Sequence, residues 1–175
     1  MTQNNSFRFY AMAGLVIIAA LLRLIDHPAN VSPIMAIAIF SGAYFADKRF
    51  ALLIPIGAML LSDLFLGYYL VSLFVYAGFG IGIFIGYLIK SQVKIQNVFL
   101  ASLIGSLVFF VITNFGSWLT DPMYQPLTTE SLIRCYALAV PFFRNTLLGD
   151  LAYVTVLFGS FALAEKYVPA LEKRR

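Results

Sequence analysis

The sequence predicts an all-α membrane protein, a six-transmembrane-helix bundle with both termini cytoplasmic. Of its 175 residues, 61% are hydrophobic and only 11% are charged, with a mean hydropathy of +0.88. Soluble domains are about half apolar and a quarter charged. Six spans of about 20 residues would use nearly the whole length, so we expect residues 1–175 to form a single integral membrane domain.

Six apolar runs define the predicted spans. They are Phe9–Ile25, Ile34–Ala46, Phe50–Leu66, Tyr69–Ile89, Val98–Trp118 and Leu138–Leu163. The second run is short for a hydrocarbon core of about 30 Å, so it could be re-entrant instead. The first run follows Arg8 as a signal peptide would, but it ends in LLRLIDHP without a small-residue cleavage site. We therefore interpret it as a retained first span.

The positive charges orient the spans. With six crossings and a cytoplasmic N-terminus, nine of the twelve Lys and Arg residues lie in inner segments, and the outer loops contain none. The nine are Arg8, Lys48, Arg49, Lys90, Lys94, Lys166, Lys173, Arg174 and Arg175. Such an excess is typical of cytoplasmic segments, and it accounts for the net charge of +4 without a nucleic-acid partner. We expect a multi-pass protein of a bacterial inner membrane.

The ionisable residues inside the spans all map to the outer half of the bundle. They are Arg23, Asp63, Arg144 and Asp150. A charge at the bilayer centre costs at least about 2.5–3.5 kcal/mol, so such residues normally face a cavity or a partner. Arg144 and Asp150 lie about 120° apart around their helix and are not expected to pair with each other. The pattern predicts a water-accessible cavity that opens outward and is closed toward the cytoplasm.

Polar and aromatic residues at the same level complete the predicted ligand site. Its members are Arg23, Asn30, Asp63, Asn114, Trp118, Arg144, Asn145 and Asp150. Two outer segments, DHPANVSP and LTDPMYQPLTTES, could cover the cavity as lids. The alternatives are that the two arginines snorkel or form helix-end ion pairs, and that the aromatic residues form an interfacial belt.

A stripe of small residues marks the fourth span. Gly78, Gly82 and Gly86 are four apart on one face, and Ala38, Gly42 and Ala46 repeat the spacing in the second span. Small residues allow membrane helices to approach closely. The stripe therefore predicts tight packing within this chain or, alternatively, a docking face for another membrane subunit.

The sequence lacks the residues that metal or cofactor chemistry would need. His27 is the only histidine and Cys135 the only cysteine, too few for a metal site, and no ATP-binding motif is present. We expect no cofactor and no enzymatic activity. The enzymatic alternative is a carboxylate pair of Asp63 and Asp150 that transfers protons.

One stretch resembles a known family. The run SPIMAIAIFSGAYFADKRFALLIPIGAMLLSDLFLG, followed by the glycine-rich fourth span, is similar to the substrate-binding S components of energy-coupling factor (ECF) transporters. The chain also resembles a group of uncharacterised small bacterial membrane proteins that share the N-x-S/T-P opening of the second helix. S components usually carry an alanine pair spaced four apart in the first helix, and this chain has none.

The resemblance to S components implies a specific function. The outward cavity would bind a vitamin-like micronutrient under a lid formed by Asp26–Pro33, and the inner face would dock on a coupling membrane subunit driven by two ATPases. By position, Asn30, Asp63, Asn114 and Arg144 would contact the ligand. Two other functions stay open: a structural or accessory membrane protein without a ligand, and a stand-alone proton-coupled carrier that uses Asp150.

Overall fold

The computed structural model describes residues 3–25, 28 and 30–171, which form six α-helices and no strand. The helices are α1 (Gln3–Leu21), α2 (Ile34–Tyr44), α3 (Lys48–Leu66), α4 (Ser72–Leu88), α5 (Ile95–Thr120) and α6 (Thr129–Tyr167). Three 3-10 turns lie at Leu22–Leu24, Pro122–Tyr124 and Pro169–Leu171. The all-helical prediction is confirmed, and four of the six helices, α1, α3, α5 and α6, are long and apolar enough to cross a membrane.

The last helix differs from its prediction. A span over Leu138–Leu163 was expected, but α6 begins at Thr129 and runs without a break for 39 residues through Pro141. Its start is set by a capping box, in which Thr128 and Ser131 bond each other's backbone N–H groups. A proline removes only one hydrogen bond from a helix interior, and here the helix continues past it.

Contacts at the ends of the helices fix their directions. The ends of α1 and α3 meet where Arg23 pairs with Asp63, and the start of α4 lies at the same end because Tyr76 also bonds Asp63. At the opposite end, Arg8 near the start of α1 pairs with Glu165 near the end of α6. Arg8 also donates to the carbonyl oxygen of Leu171. Ion pairs therefore hold α1 to the bundle at both of its ends.

Helix α2 lies at the centre of the bundle. All ten residues from Ile34 to Ala43 are buried, and α2 contacts each of the other five helices. A helix that is apolar on every side has no solvent-facing surface and is suited to a core position. The short second run is thus an 11-residue helix enclosed by the rest of the chain.

Glycines allow α4 to lie directly against α2. A Cβ atom on Gly86 would come within 2.1 Å of the Ile39 carbonyl oxygen, and one on Gly42 within 2.0 Å of the Ile83 carbonyl oxygen. A Cβ on Gly82 would meet Met35 and Ala38 of α2 in the same way. The small-residue stripe of α4 therefore packs against α2 within the chain, as one of its two interpretations predicted.

We expect Gly86→Ala to destabilise the protein, because the added methyl group would collide with the backbone of α2 rather than with a flexible side chain. Overpacking of this kind costs about 1–3 kcal/mol. Gly80→Ala is the matched control on the same helix, since no atom lies within 4 Å of its Cβ position, and alanine favours a helix over glycine by about 1 kcal/mol. Denaturant unfolding in detergent measures the stability of both variants. Equal stability of Gly86→Ala and Gly80→Ala would contradict the close contact between α4 and α2.

Candidate functional site: a cavity with a buried carboxyl group

The candidate site is a cavity of about 540 Å³ between α5 and α6. One face of α5 contributes Phe109, Phe110, Thr113, Asn114 and Ser117, and one face of α6 contributes Cys135, Leu138, Ala139, Phe142, Thr146 and Asp150. Asn30, Ser32, Ile34 and Met35 add the segment that leads into α2 and its first turn. Residues three or four apart lie on one side of a helix, so each wall is a stripe on a single helix. We call this space the Asp150 cavity.

Asp150 is more buried than the Asn, Ser and Thr residues that line the cavity. It is 3% exposed, and the Ser106 hydroxyl lies 2.7 Å from its Oδ2 atom. The same hydroxyl lies 2.8 Å from the Ser102 carbonyl oxygen, and a serine has only one hydrogen to donate. Among the described residues no Lys or Arg pairs with Asp150. Within the described part of the chain, the carboxyl group therefore has at most one donor.

Three polar side chains on the two walls donate a hydrogen within their own helices. Thr113 donates to the Phe109 carbonyl oxygen at 2.8 Å, and Asn114 donates to that of Phe110 at 2.8 Å. On α6, Thr146 donates to its own preceding turn at 3.4 Å. The threonine oxygens left toward the cavity can only accept hydrogen bonds. Thr113 and Thr146 therefore offer a ligand only acceptors, whereas Asn114 keeps a second amide hydrogen to donate.

The turn between α5 and α6 forms the roof of the cavity. Met123 and Tyr124 line it from above, and Asp121 holds this turn by accepting from the Met123 backbone N–H at 2.9 Å. Trp118 donates to the Ser131 hydroxyl at 2.9 Å, which ties the end of α5 to the start of α6. Tyr124 is buried, and burial raises the pKa of its phenol, so the ring stays neutral.

Three of the eight predicted contact residues line this cavity: Asn30, Asn114 and Asp150. Asn30 does so from a left-handed turn, with φ 64°, a conformation that asparagine tolerates better than most residues. Trp118 supports the roof instead of lining the cavity. Arg144 is exposed and Asn145 half-buried, and neither lines the cavity. Of the first predicted lid, Asp26, His27 and Ala29 lie outside the described residues.

Arg23 and Asp63 form a separate cluster away from the cavity lining. Their side chains pair at 2.9 Å and are 11% and 7% exposed. Arg23 also donates to the Ser62 hydroxyl, and Tyr76 donates to Asp63 at 2.5 Å. Both charged groups are thus bonded to other groups of the protein. This agrees with the alternative interpretation of Arg23, in which it forms an ion pair at a helix end. The expected single pocket around all the buried charges does not form.

The sequence analysis missed two cavity residues, Thr113 and Thr146, and also Ser106, the hydrogen-bond partner of Asp150. The signal that could have found them is the helical spacing of polar residues, because Ser106 and Asn114 are eight apart on α5, and Thr146 and Asp150 are four apart on α6. That spacing places each pair on one face. It does not reveal that the two faces meet.

A second cavity, of about 620 Å³, lies at the opposite end of α2. It is lined by charged residues that already have partners: Arg8 pairs with Glu165, and Lys90 donates to the carbonyl oxygens of Phe45 and Ala46 at 2.5 and 3.1 Å. We call it the Lys90 cavity. Although it is larger, its carboxyl groups are Glu165, which is paired, and Asp47, which is exposed and caps α3. The Asp150 cavity, with its buried carboxyl group, is the better candidate.

Fold and site together define an all-helical protein with four helices fit to cross a membrane and a deep cavity over a buried carboxyl group. No group of three or more His, Cys, Asp or Glu residues that could hold a metal occurs among the described residues. Over residues 3–171 the chain matches a family of unknown function, DUF6580, and it belongs to that family. No curated protein and no solved structure matches the chain.

We expect Arg23→Met to lower the free energy of unfolding by about 3–5 kcal/mol, because it leaves the Asp63 carboxylate buried without its cation. The double variant Arg23→Met with Asp63→Asn should lose clearly less, since a neutral amide can still accept from Tyr76. Denaturant titration in detergent measures both variants. Equal losses for the single and the double variant would show that the pair contributes no coupling.

Proposed function

We propose that this protein crosses the membrane six times, with both termini cytoplasmic, and that its Asp150 cavity captures a small water-soluble solute from outside. The distribution of Lys and Arg supports this orientation. The helix directions also support it, since the links between successive helices are short and α1 begins where α6 ends. The cavity then opens toward the exterior and the Lys90 cavity toward the cytoplasm.

The enclosed position of α2 explains how so short a helix would serve as a span. At about 1.5 Å per residue it is roughly 16 Å long, about half of a hydrocarbon core. Irregular backbone at membrane depth is tolerated where it is buried in protein or lines a cavity. The chain before α2 lines the Asp150 cavity, and Lys90 donates to the carbonyl oxygens that follow α2.

One observation carries the solute-binding proposal: a carboxyl group buried to 97%, lacking a cationic partner among the described residues, lines a 540 Å³ cavity. Ligand pockets commonly measure about 300–1,000 Å³ and combine apolar walls with a few polar groups. Uptake as the substrate-binding subunit of a transporter follows from the resemblance to S components. It would require a coupling membrane subunit with ATPases.

A stand-alone proton-coupled carrier is the second candidate. The Asp150–Ser106 contact favours it, because a buried carboxyl group hydrogen-bonded to a hydroxyl is a typical element of membrane proton relays. Uptake into intact cells separates the two candidates. Uptake that stops when the pH gradient is collapsed, with ATP maintained, supports the carrier, and uptake that stops on ATP depletion alone supports the transporter subunit.

We expect reporter fusions to reveal six crossings. Alkaline phosphatase fused after Gln125, between α5 and α6, should be active because it would lie outside. The same enzyme fused after Gln92, between α4 and α5, should be inactive, and a fluorescent protein fused there should fold. If α2 did not cross, both locations would be reversed.

We expect Ala139→Trp to abolish solute binding, because Ala139 lines the cavity and an indole would fill much of it. Ala137→Trp is the matched control, since Ala137 is exposed on the same helix and does not line the cavity. Mass spectrometry of protein purified from its own membranes should find a small molecule with the wild type and the control, and at least about tenfold less with Ala139→Trp, a difference of about 1.4 kcal/mol.

The accessory role without a ligand predicts a different result. No compound would accompany any of the three proteins, and Asp150→Asn would fold and support growth as well as the wild type. That outcome would overturn the solute-binding proposal.

A further inference from the structure

We propose that the solute bound in the Asp150 cavity is a protonated amine that carries an apolar or aromatic group. This inference rests on the proposed solute-binding function and names its ligand class. The first observation is charge: Asp150 is the only carboxylic acid, and no Lys or Arg is present, among the described residues that line the cavity. The sequence had suggested mixed charges there, but Arg23 is paired elsewhere and Arg144 is exposed.

The Asp150 carboxyl group has capacity for a ligand. An ionised carboxylate offers about four acceptor sites, and residues 3–25, 28 and 30–171 supply at most the single Ser106 hydrogen, 2.7 Å away. A buried charge that is left without donors and without a counter-charge is costly. A ligand ammonium group would bring up to three N–H donors and the opposite charge in one contact.

The threonine side chains on the walls also favour an ammonium group. Because the hydroxyl hydrogens of Thr113 and Thr146 are donated within their own helices, their oxygens present lone pairs to the cavity. An ammonium group can donate to such oxygens. A carboxylate ligand would be repelled by these oxygens and by the Asp150 carboxylate, which disfavours it.

The N-terminus of α2 favours an anionic ligand instead. The first turn of α2 carries no side-chain cap, and Ile34 and Met35 of that turn line the cavity. Asp150 lies near this turn, because a Cβ on its neighbour Gly149 would be 3.1 Å from Val31. A helix N-terminus is equivalent to roughly half a positive charge, whereas an ionised carboxylate carries a full negative charge. A bound ammonium group would favour the ionised form of Asp150, and the full charge of that form outweighs the half charge of the helix terminus.

The apolar part of the ligand follows from the aromatic walls. Phe109, Phe110, Phe142 and Tyr124 all line the cavity above Asp150. Aromatic side chains bind rings by stacking and cations by the negative face of the ring. A volume of about 540 Å³ accommodates a ring with a short amine chain.

Three probes of similar shape and different charge test this assignment: 2-phenylethylamine, 2-phenylethanol and phenylacetate. Calorimetric titration of the purified full-length protein should give at least about tenfold tighter binding of the amine than of the alcohol, and the weakest binding for phenylacetate. Asp150→Asn should remove the preference for the amine. Glu130→Gln is the matched control, because it removes an exposed carboxylate from the same helix outside the cavity, and it should keep the preference.

The outcomes distinguish a failure of the amine assignment from a failure of the solute-binding proposal. Equal or tighter binding of the alcohol or of phenylacetate, or an amine preference that survives in Asp150→Asn, overturns the amine assignment and leaves solute binding intact. If no probe binds and no compound accompanies the native protein, both proposals are overturned. If Asp150→Asn fails to fold, the ranking of the three probes on the wild-type protein decides the ligand class by itself.

Discussion

The close approach of α2 and α4 is the contact on which the rest of the structure depends. At Gly42 and Gly86 the two backbones lie so near each other that even a methyl group would not fit. This contact lets an 11-residue helix stand in the middle of the bundle with the other five around it. Because hydrocarbon chains are as apolar as leucine, tight packing of this kind is a main source of stability for helices in lipid.

The central position of α2 also decides where the cavities lie. A helix of roughly 16 Å cannot fill a bundle whose other helices are longer, so space is left beyond each of its ends. The Asp150 cavity occupies one end and the Lys90 cavity the other. Between them the ten buried residues of α2, packed against α4 and α5, separate the two spaces. A solute-binding role needs such a division, because a continuous passage would leak.

The charges within the bundle fall into two kinds, and the distinction bears on function. Arg23 with Asp63, and Arg8 with Glu165, are paired and hold α1 to α3 and to α6. Ion pairs of this kind position helices, and they leave little capacity for a ligand. Asp150 has a serine and no cation among the described residues. It is this unmet capacity, rather than charge alone, that distinguishes a site from a structural contact.

The sequence by itself determined the helical class, because composition and long apolar runs leave few alternatives. It also singled out Asp150 and Asn114, since polar residues within apolar runs are visible without any structure. The sequence could not distinguish the role of Asp63 from that of Asp150. In the structure Asp63 forms an ion pair, whereas Asp150 has no cationic partner among the described residues. Only the tertiary structure decided that, because a charge's role depends on which helix lies opposite it. The spacing of residues along one helix does not encode that neighbour.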